Sequence, residues 1–442
     1  MSKEKSKAAT VLTAVDDPTQ PVPSDKRQHW LTPAVIFGAL EFSIPVLMVG
    51  TILAASFGLG TIVLILFVAF FGIQWAGNAL NGYIGAKMGR PSSIIARSSF
   101  GTTQSKYIIA LVILIACVGW FAVQTSVTAN AIAAMFGIDH TDPANWGIWA
   151  LITIVLGLIF ALPSIIGYNS MKWTDYLTVP VGLIICGVGI YLGVSHAGGL
   201  TQIFQHVPAE RQITFIAAIN IIIGLNISQW IIAADYTRYA RPRILDNILI
   251  PLGIIAIGIP LIFVGAVMSI GQGTADIVLV MVNLGFPFWA FILLFILAWT
   301  SQLVNSYSTG LAFCNLLSVT SNKGRMVLTF IGAILGIIAA LSGILDFFIP
   351  FLLLTSLLYS PMAGIIFCDY FMRKGNWEDN KGWNFVATIA LVCGIAVGYT
   401  ATFIAPFGIP ILKSAAVSAL LYFILTKAKG KFAPDHFTPK AV

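Results

Sequence analysis

From about residue 30 onward the chain alternates long apolar runs with short polar turns. Roughly twenty apolar helical residues cross the hydrocarbon core of a bilayer, so each run predicts a membrane-spanning helix. Twelve spans are expected, at 32–57, 61–87, 106–135, 147–168, 174–195, 212–237, 246–271, 287–319, 325–344, 347–372, 384–404 and 407–426. The stretch ahead of them, "MSKEKSKAATVLTAVDDPTQPVPSDKRQ", is polar and broken by prolines. It has no apolar core before a small-residue cleavage site, so it does not read as a secretory signal. Residues 1–28 are expected to form a disordered tail, 29–427 a single membrane domain and 428–442 a second tail.

Composition sharpens this reading. Hydrophobic residues make up 58% of the 442 and charged residues only 9%, against about 25% charged in a soluble domain. Mean hydropathy is +0.92. The fold class expected is an all-α integral membrane protein with little room for a soluble domain. The net charge of +7 has a local cause, because Lys and Arg collect in alternate loops. With the N-terminus inside, 22 of the 24 basic residues are cytoplasmic, and only Arg211 and Lys413 fall on the far side. The positive-inside rule then places both termini in the cytoplasm of a cell (inner) membrane protein. It also accounts for the charge with no nucleic-acid partner. Trp30, Trp146, Trp149, Trp173 and Trp383 lie at span ends, as an interfacial belt requires, whereas Trp75, Trp120, Trp230 and Trp299 lie deep and need partners for their indole N–H groups. The five cysteines fall in apolar segments without metal-ligand spacing.

Hydrocarbon penalises unsatisfied polar groups, so polar residues at depth must face protein or a cavity. Four clusters qualify. In the first span, "FGALEFSIPVLMVG" carries Glu41 about ten residues in, or roughly 15 Å deep, between Gly38 and Pro45. A proline withdraws one backbone hydrogen bond and exposes a carbonyl. The segment is either a broken helix offering carbonyls and a carboxylate to an ion or substrate, or a kinked helix whose Glu is protonated or paired with a neighbour. In the third span, Trp120 and Gln124 are four apart and share a helix face. A flat indole beside an amide suits a planar heterocycle, and it equally suits a Trp–Gln pair in a packed core. The sixth span, "GLNISQWIIAADYTRYARPR", places Asn226 and Ser228 near mid-depth and Asp235 and Arg238 at its end, where they read as an anchor or gate. The eighth span, "LAWTSQLVNSYSTGLAFCNL", is the most polar. Thr300 and Ser301 are adjacent hydroxyls and, with carbonyls from a broken helix nearby, make a small neutral oxygen cage suited to Na⁺. Gln302 faces elsewhere and is a candidate partner for a substrate amide. Asn78 and Asn81, beside Gly77, Gly82 and Gly85, read as helix–helix packing.

These clusters sit at one depth. A channel would need a polar stripe along several whole helices. A membrane enzyme would need a nucleophile–base pair or metal ligands, and a sensor an output domain. A bound and carried small molecule fits best.

Four stretches stand out, "GYIGAKMGRPSSIIARSSFG" (82–101), "ADYTRYARP" (234–242), "CDYFMRK" (368–374) and "GWFAVQ" (119–124). Through them the chain resembles the nucleobase–cation symporter-1 family, bacterial cytosine permeases in particular. The resemblance implies a LeuT-type fold: two inverted repeats of five helices, about 32–195 and 212–372, then two extra helices at 384–426, with spans one and six broken at the midplane. It implies alternating access, sodium or proton coupling, no cofactor beyond the coupling ion, and a monomer. Carried over, Trp120 would stack on a nucleobase and Gln124 would bond its edge. Gln302 would stand where a substrate-binding Asn occurs, and Ser228 matches a site serine. Thr300 and Ser301, with the carbonyls of Gly38, Glu41 and Leu297, would hold sodium. Two positions depart from the family pattern. Asn226 replaces a second stacking aromatic, and Glu41 stands where relatives have a neutral residue. Together they imply a more polar pocket, open also to a purine, an allantoin-like ureide or a thiamine-precursor pyrimidine.

Overall fold

The computed structural model describes residues 19–208, 210–274 and 287–432. The chain folds into helices, and among the described residues the only strand-like pairing is a single bridge between Gln28 and Ala240. The principal helices are α1 (Leu31–Glu41), α2 (Ile44–Ala54), α3 (Leu59–Met88), α4 (Thr102–Met135), α5 (Pro143–Ile166), α6 (Tyr168–His196) and α7 (Phe215–Asn226). They continue with α8 (Gln229–Thr237), α9 (Ile244–Gln272), α10 (Pro287–Leu317), α11 (Asn322–Leu341), α12 (Phe348–Met372), α13 (Phe385–Ile404) and α14 (Pro410–Phe432). Among the described residues nine helices are long and apolar enough to cross a membrane. Two bent pairs, α1 with α2 at 59° and α7 with α8 at 42°, bring the number to eleven. The 31-residue α10 stands outside those eleven and occupies the place of the eighth expected span.

The helices pack in three groups. One gathers α1, α2, α3, α7, α8 and α9; a second gathers α4, α5, α10 and α11; a third gathers α12, α13 and α14. Helix α6 lies between the first two, touching α1, α9 and α10. Between lipid-like surfaces, helices associate through close packing, and small residues let backbones approach. The seam of α9 with α1 and α2 is built this way. A Cβ added at Gly253 would lie 1.8 Å from the carbonyl oxygen of Ala34, and one at Gly265 would lie 2.2 Å from that of Leu47.

Two expectations about the chain ends change. Residues 19–28, expected in a disordered tail, form an ordered strap, while 1–18 lie outside the described residues. The strap is held by backbone and arginine side chains together: Val22 N–H donates to the Gly89 carbonyl (2.9 Å), Gln28 N–H to Tyr239 (2.6 Å), Arg241 N–H back to Gln28 (3.1 Å), and Arg90 to the Thr19 carbonyl (2.9 Å). Arg27 donates to the carbonyls of Val22 (3.0 Å), Ala240 (3.1 Å) and Ala86. The strap therefore ties α1 to the ends of α3 and α8. At the other terminus α14 runs on to Phe432 rather than ending near 427. Trp146, Trp173 and Trp383 are exposed as a belt requires, but Trp149 is buried and donates its indole N–H to Asn130 (2.7 Å). An indole with an in-protein acceptor has no need of the interface.

Gly89 closes α3 in the left-handed region at φ +68°, and a Cβ there would lie 2.3 Å from Arg27 Nη2. Gly89→Ala should cost about 1–2 kcal/mol for the backbone conformation alone, before the guanidinium is displaced. It should lower the melting temperature in detergent, and an unchanged melting curve would show that the strap is not clamped there.

Candidate functional site

The first span breaks where its hydrogen-bond ladder fails. Phe42 N–H would reach Gly38 in an unbroken helix; it bonds Ala39 instead (3.1 Å). Pro45 has no N–H to give Glu41. Val46 N–H, which would reach Phe42, goes to Ser43 (3.1 Å), itself extended at φ −146°, ψ 148°. The carbonyls of Gly38, Glu41 and Phe42 are thereby released within about one turn.

Helix α10 supplies what faces them. Thr300 Oγ1 lies 3.4 Å from the Phe42 carbonyl, and 3.0 and 3.3 Å from those of Ile296 and Leu297. Ser301 Oγ lies 3.2 Å from the Leu297 carbonyl and donates to Gln124 Oε1. The structure thus brings together Thr300, Ser301 and Leu297, and it adds the Phe42 carbonyl, which the spacing of residues did not single out. Gly38 and Glu41 lie in the same turn with their carbonyls released. The donor set is neutral and all oxygen, with no imidazole or thiolate, and suits a hard monovalent cation.

The second break, between α7 and α8, lies beside the first. A small pocket of about 30 Å³ is lined by Ser43 and Val46 of the first span, Trp120 and Gln124 of α4, Asn226, Ser228 and Gln229 at the break, and Asn305 of α10. That volume suits about one water, so a heterocycle enters only after the walls move. Trp120 is 6% exposed and braced edge-on by Phe351 (5.4 Å, 76°) and Phe348 (6.2 Å, 78°), both from α12.

The polar groups of this pocket are oriented by neighbours. Gln124 has its carbonyl oxygen taken by Ser301, so it offers its amide N–H groups. Asn226 gives its amide nitrogen to Glu41 Oε2 (3.3 Å) and so offers its oxygen. Asn305 gives its nitrogen to the Ser301 carbonyl (3.3 Å) and also offers an oxygen. The pocket presents an N–H donor from α4 and oxygen acceptors from α7 and α10.

Three expected roles change. Gln302 does not line the pocket; its amide nitrogen donates to the Phe121 carbonyl (2.6 Å) and Thr125 Oγ1 (2.8 Å), stapling α10 to α4. One helical residue is a rotation of about 100°, and Asn305, four beyond Ser301, has the pocket-facing register instead. Glu41 does not line the pocket either. Its carboxylate lies behind Asn226, where a Cβ on Gly258 would meet Oε2 at 2.9 Å. Asn81 does more than pack helices, since its amide donates to the carbonyls of Ile231 (2.7 Å) and Gln229 (3.4 Å) in the half-helix that follows the second break.

Away from the pocket, a buried polar and aromatic cluster lies beside the strap. Arg238 is fully buried and donates to the hydroxyls of Tyr239 (2.9 Å) and Tyr307 (2.8 Å), and Tyr168 stacks on Tyr239 at 3.9 Å. Asp235 accepts from Ser92 N–H (2.7 Å), anchoring the loop after α3 to α8. The aspartate thus anchors, and the arginine packs with three tyrosines.

Comparison with known proteins places this geometry. The cytosine permease of Escherichia coli (strain K12) is 29% identical over 350 residues, 78% of each chain. A solved structure of Mhp1, a nucleobase-cation-symport-1 family transporter in a closed conformation with bromovinylhydantoin bound, superposes with a TM-score of 0.80 at 18% identity, covering 95% of this chain and 96% of that one. A Na⁺-coupled sialic acid symporter shares the fold at a TM-score of 0.68 and 14% identity, covering 95% of this chain and 92% of that one. The family described as permease for cytosine/purines, uracil, thiamine, allantoin matches residues 21–425. With two broken spans meeting at one pocket and that family match over nearly its whole length, the chain belongs to the cytosine/purine permease family and is a multi-pass membrane transporter of small molecules, not an enzyme.

Proposed function

We propose that the protein is a symporter that imports a nucleobase-like heterocycle together with Na⁺ by alternating access. The observation that carries the substrate class is the enforced orientation of two amides. Gln124 offers N–H and Asn226 offers oxygen, beside the Trp120 face. A planar ring with adjacent C=O and N–H groups meets both, and cytosine, uracil, hydantoins and allantoin-like ureides all carry that edge. The ureide reading stays open beside the nucleobase one for this reason.

The neutral oxygen cluster at Thr300, Ser301 and the released carbonyls supports sodium over a proton, because it offers no titrating group at the ion position. Site and pocket share elements: Ser301 reaches the cluster and fixes Gln124. Cation binding that draws on Ser301 alters the amide that meets substrate, which gives a physical route for coupling. In this reading the basic end faces the cytoplasm of a bacterial-type inner membrane, the plug of Arg238, Tyr239, Tyr307 and Tyr168 closes the inner path, and a monomer suffices.

Four outcomes are expected. Trp120→Ala should weaken substrate binding by about 1–1.5 kcal/mol from lost aromatic contact, with more from lost burial. Gln124→Ala should cost about 1–3 kcal/mol by leaving a ligand carbonyl unpaired. Titration of labelled cytosine and allantoin on purified protein checks both, and unchanged affinity in both variants would put the pocket elsewhere. Replacing Thr300 and Ser301 together with Ala should abolish sodium stimulation of binding. If the parent's uptake ignores sodium and collapses with the pH gradient, the coupling ion is a proton.

Glu41→Gln tests the amide orientation. Glu41 Oε2 accepts from the Asn226 amide, which holds that nitrogen toward the carboxyl and away from the pocket. Glutamine can donate as well, so the Asn226 amide is free to turn its nitrogen to the pocket. Ligands that present N–H there should lose about 1.5–3 kcal/mol, while analogues with an acceptor at that position should lose less. A competition assay of both ligand classes decides it, and equal losses for the two would make Glu41 purely structural.

A further inference from the structure

We infer that Asp175 forms a second, transient cation-binding position, midway between the oxygen cluster at Thr300 and the tyrosine–arginine plug. The inference rests on the sodium reading above. Asp175 is fully buried in α6, and neither carboxylate oxygen has a hydrogen-bond partner. Two other buried carboxylates are held in place. Asp235 accepts from Ser92, and Asp369 accepts from Ser98, Tyr422 and Arg373. A carboxyl placed for structure would have such partners. Asp175 has none, and protonation would not cure this, because the neutral acid still leaves an O–H donor and a carbonyl unmet. A cation meets both oxygens.

Its position gives that cation a purpose. Residues 168, 175 and 182 follow one another at intervals of seven, two helical turns or about 10.5 Å apart, on one face of α6. Tyr168 at one end stacks on Tyr239 in the plug, at 3.9 Å and 21°. Gly182 at the other end lies against the ring of Phe42, where an added Cβ would sit 2.8 Å from Cε1. The Phe42 carbonyl is the one that approaches Thr300 Oγ1. The face thus runs from the ion cluster, past a bare carboxylate, to the plug. Along that face a cation leaving the cluster travels about 20 Å, counted along the helix at its standard rise. Asp175 divides that path into two steps. With one side chain against a cluster of several oxygens, it holds the ion weakly enough to pass it on.

The test uses the full-length protein, with two readouts. One is equilibrium binding of labelled substrate with and without Na⁺ in detergent. The other is the rate of ²²Na⁺ exchange and of Na⁺-driven uptake in proteoliposomes. Asp175→Asn, near-isosteric, should keep sodium-stimulated binding within about twofold while slowing exchange and uptake about tenfold or more. Asp175→Glu, which restores the charge, should recover most of the rate, and a monodisperse gel-filtration peak guards against misfolding. Parental exchange in Asp175→Asn would overturn the assignment. So would loss of equilibrium binding to match the loss of rate, or failure of Asp175→Glu to restore a rate that Asp175→Asn lowers. If the parent shows no sodium-stimulated binding, the coupling reading itself fails and the transit site fails with it. The first comparison, parent with and without sodium, separates that failure from a failure of Asp175 alone.

Discussion

Breaking a helix inside a bilayer frees backbone groups that no water can satisfy, and the architecture around both breaks answers that constraint. At the first break the Phe42 carbonyl lies near Thr300, and the remaining released carbonyls share its turn. At the second, carbonyls of Ile231 and Ile223 are reached by Asn81, Ser92 and Gln74 from α3 and the loop after it. Gln74 is used twice, since its oxygen also takes the Trp230 indole N–H at 3.0 Å. The polar residues of α3 and α10 are therefore there first because the breaks need them. The binding site is made of the few groups left over.

Those leftover groups are few and directional. An amide side chain is ambiguous by itself, with a donor at one end and an acceptor at the other. Here each pocket amide has one end fixed by an immediate neighbour, so only the other is offered. Ser301 does this for Gln124, Glu41 for Asn226 and the Ser301 backbone for Asn305. Selectivity for a ring edge thus comes from residues that a ligand never meets.

The spans were legible in the sequence because a run of twenty apolar residues has little alternative. The first break was legible from Glu41 between Gly38 and Pro45, and the second only through the family resemblance. Depth, however, is set by counting, while direction is set by packing. Glu41 was placed at the right level and turns behind Asn226. Gln302 and Asn305 differ by three residues and point to different neighbours, which composition cannot distinguish. The strap at 19–28 was hidden for another reason: its ties are main-chain pairing with Gly89, Tyr239 and Arg241 and arginine bonds to main-chain carbonyls, and a main-chain partner leaves almost no mark on side-chain identity. Trp149 read as an interfacial residue because nothing local reveals that Asn130, on another helix, is its partner.

The glycine seam along α9 has a mechanical meaning. Where Gly253 and Gly265 meet the carbonyls of Ala34 and Leu47, main chain touches main chain with no side chain between. Side chains can rotate to absorb a shear, but a backbone contact cannot. The seam therefore couples α9 to both halves of the broken first span as a splint couples two bone fragments: the joint at Phe42 and Ser43 can flex only as far as α9 itself flexes. Any rearrangement that opens the pocket is steered toward surfaces lubricated by side chains, namely those that α4 and α10 turn toward the break.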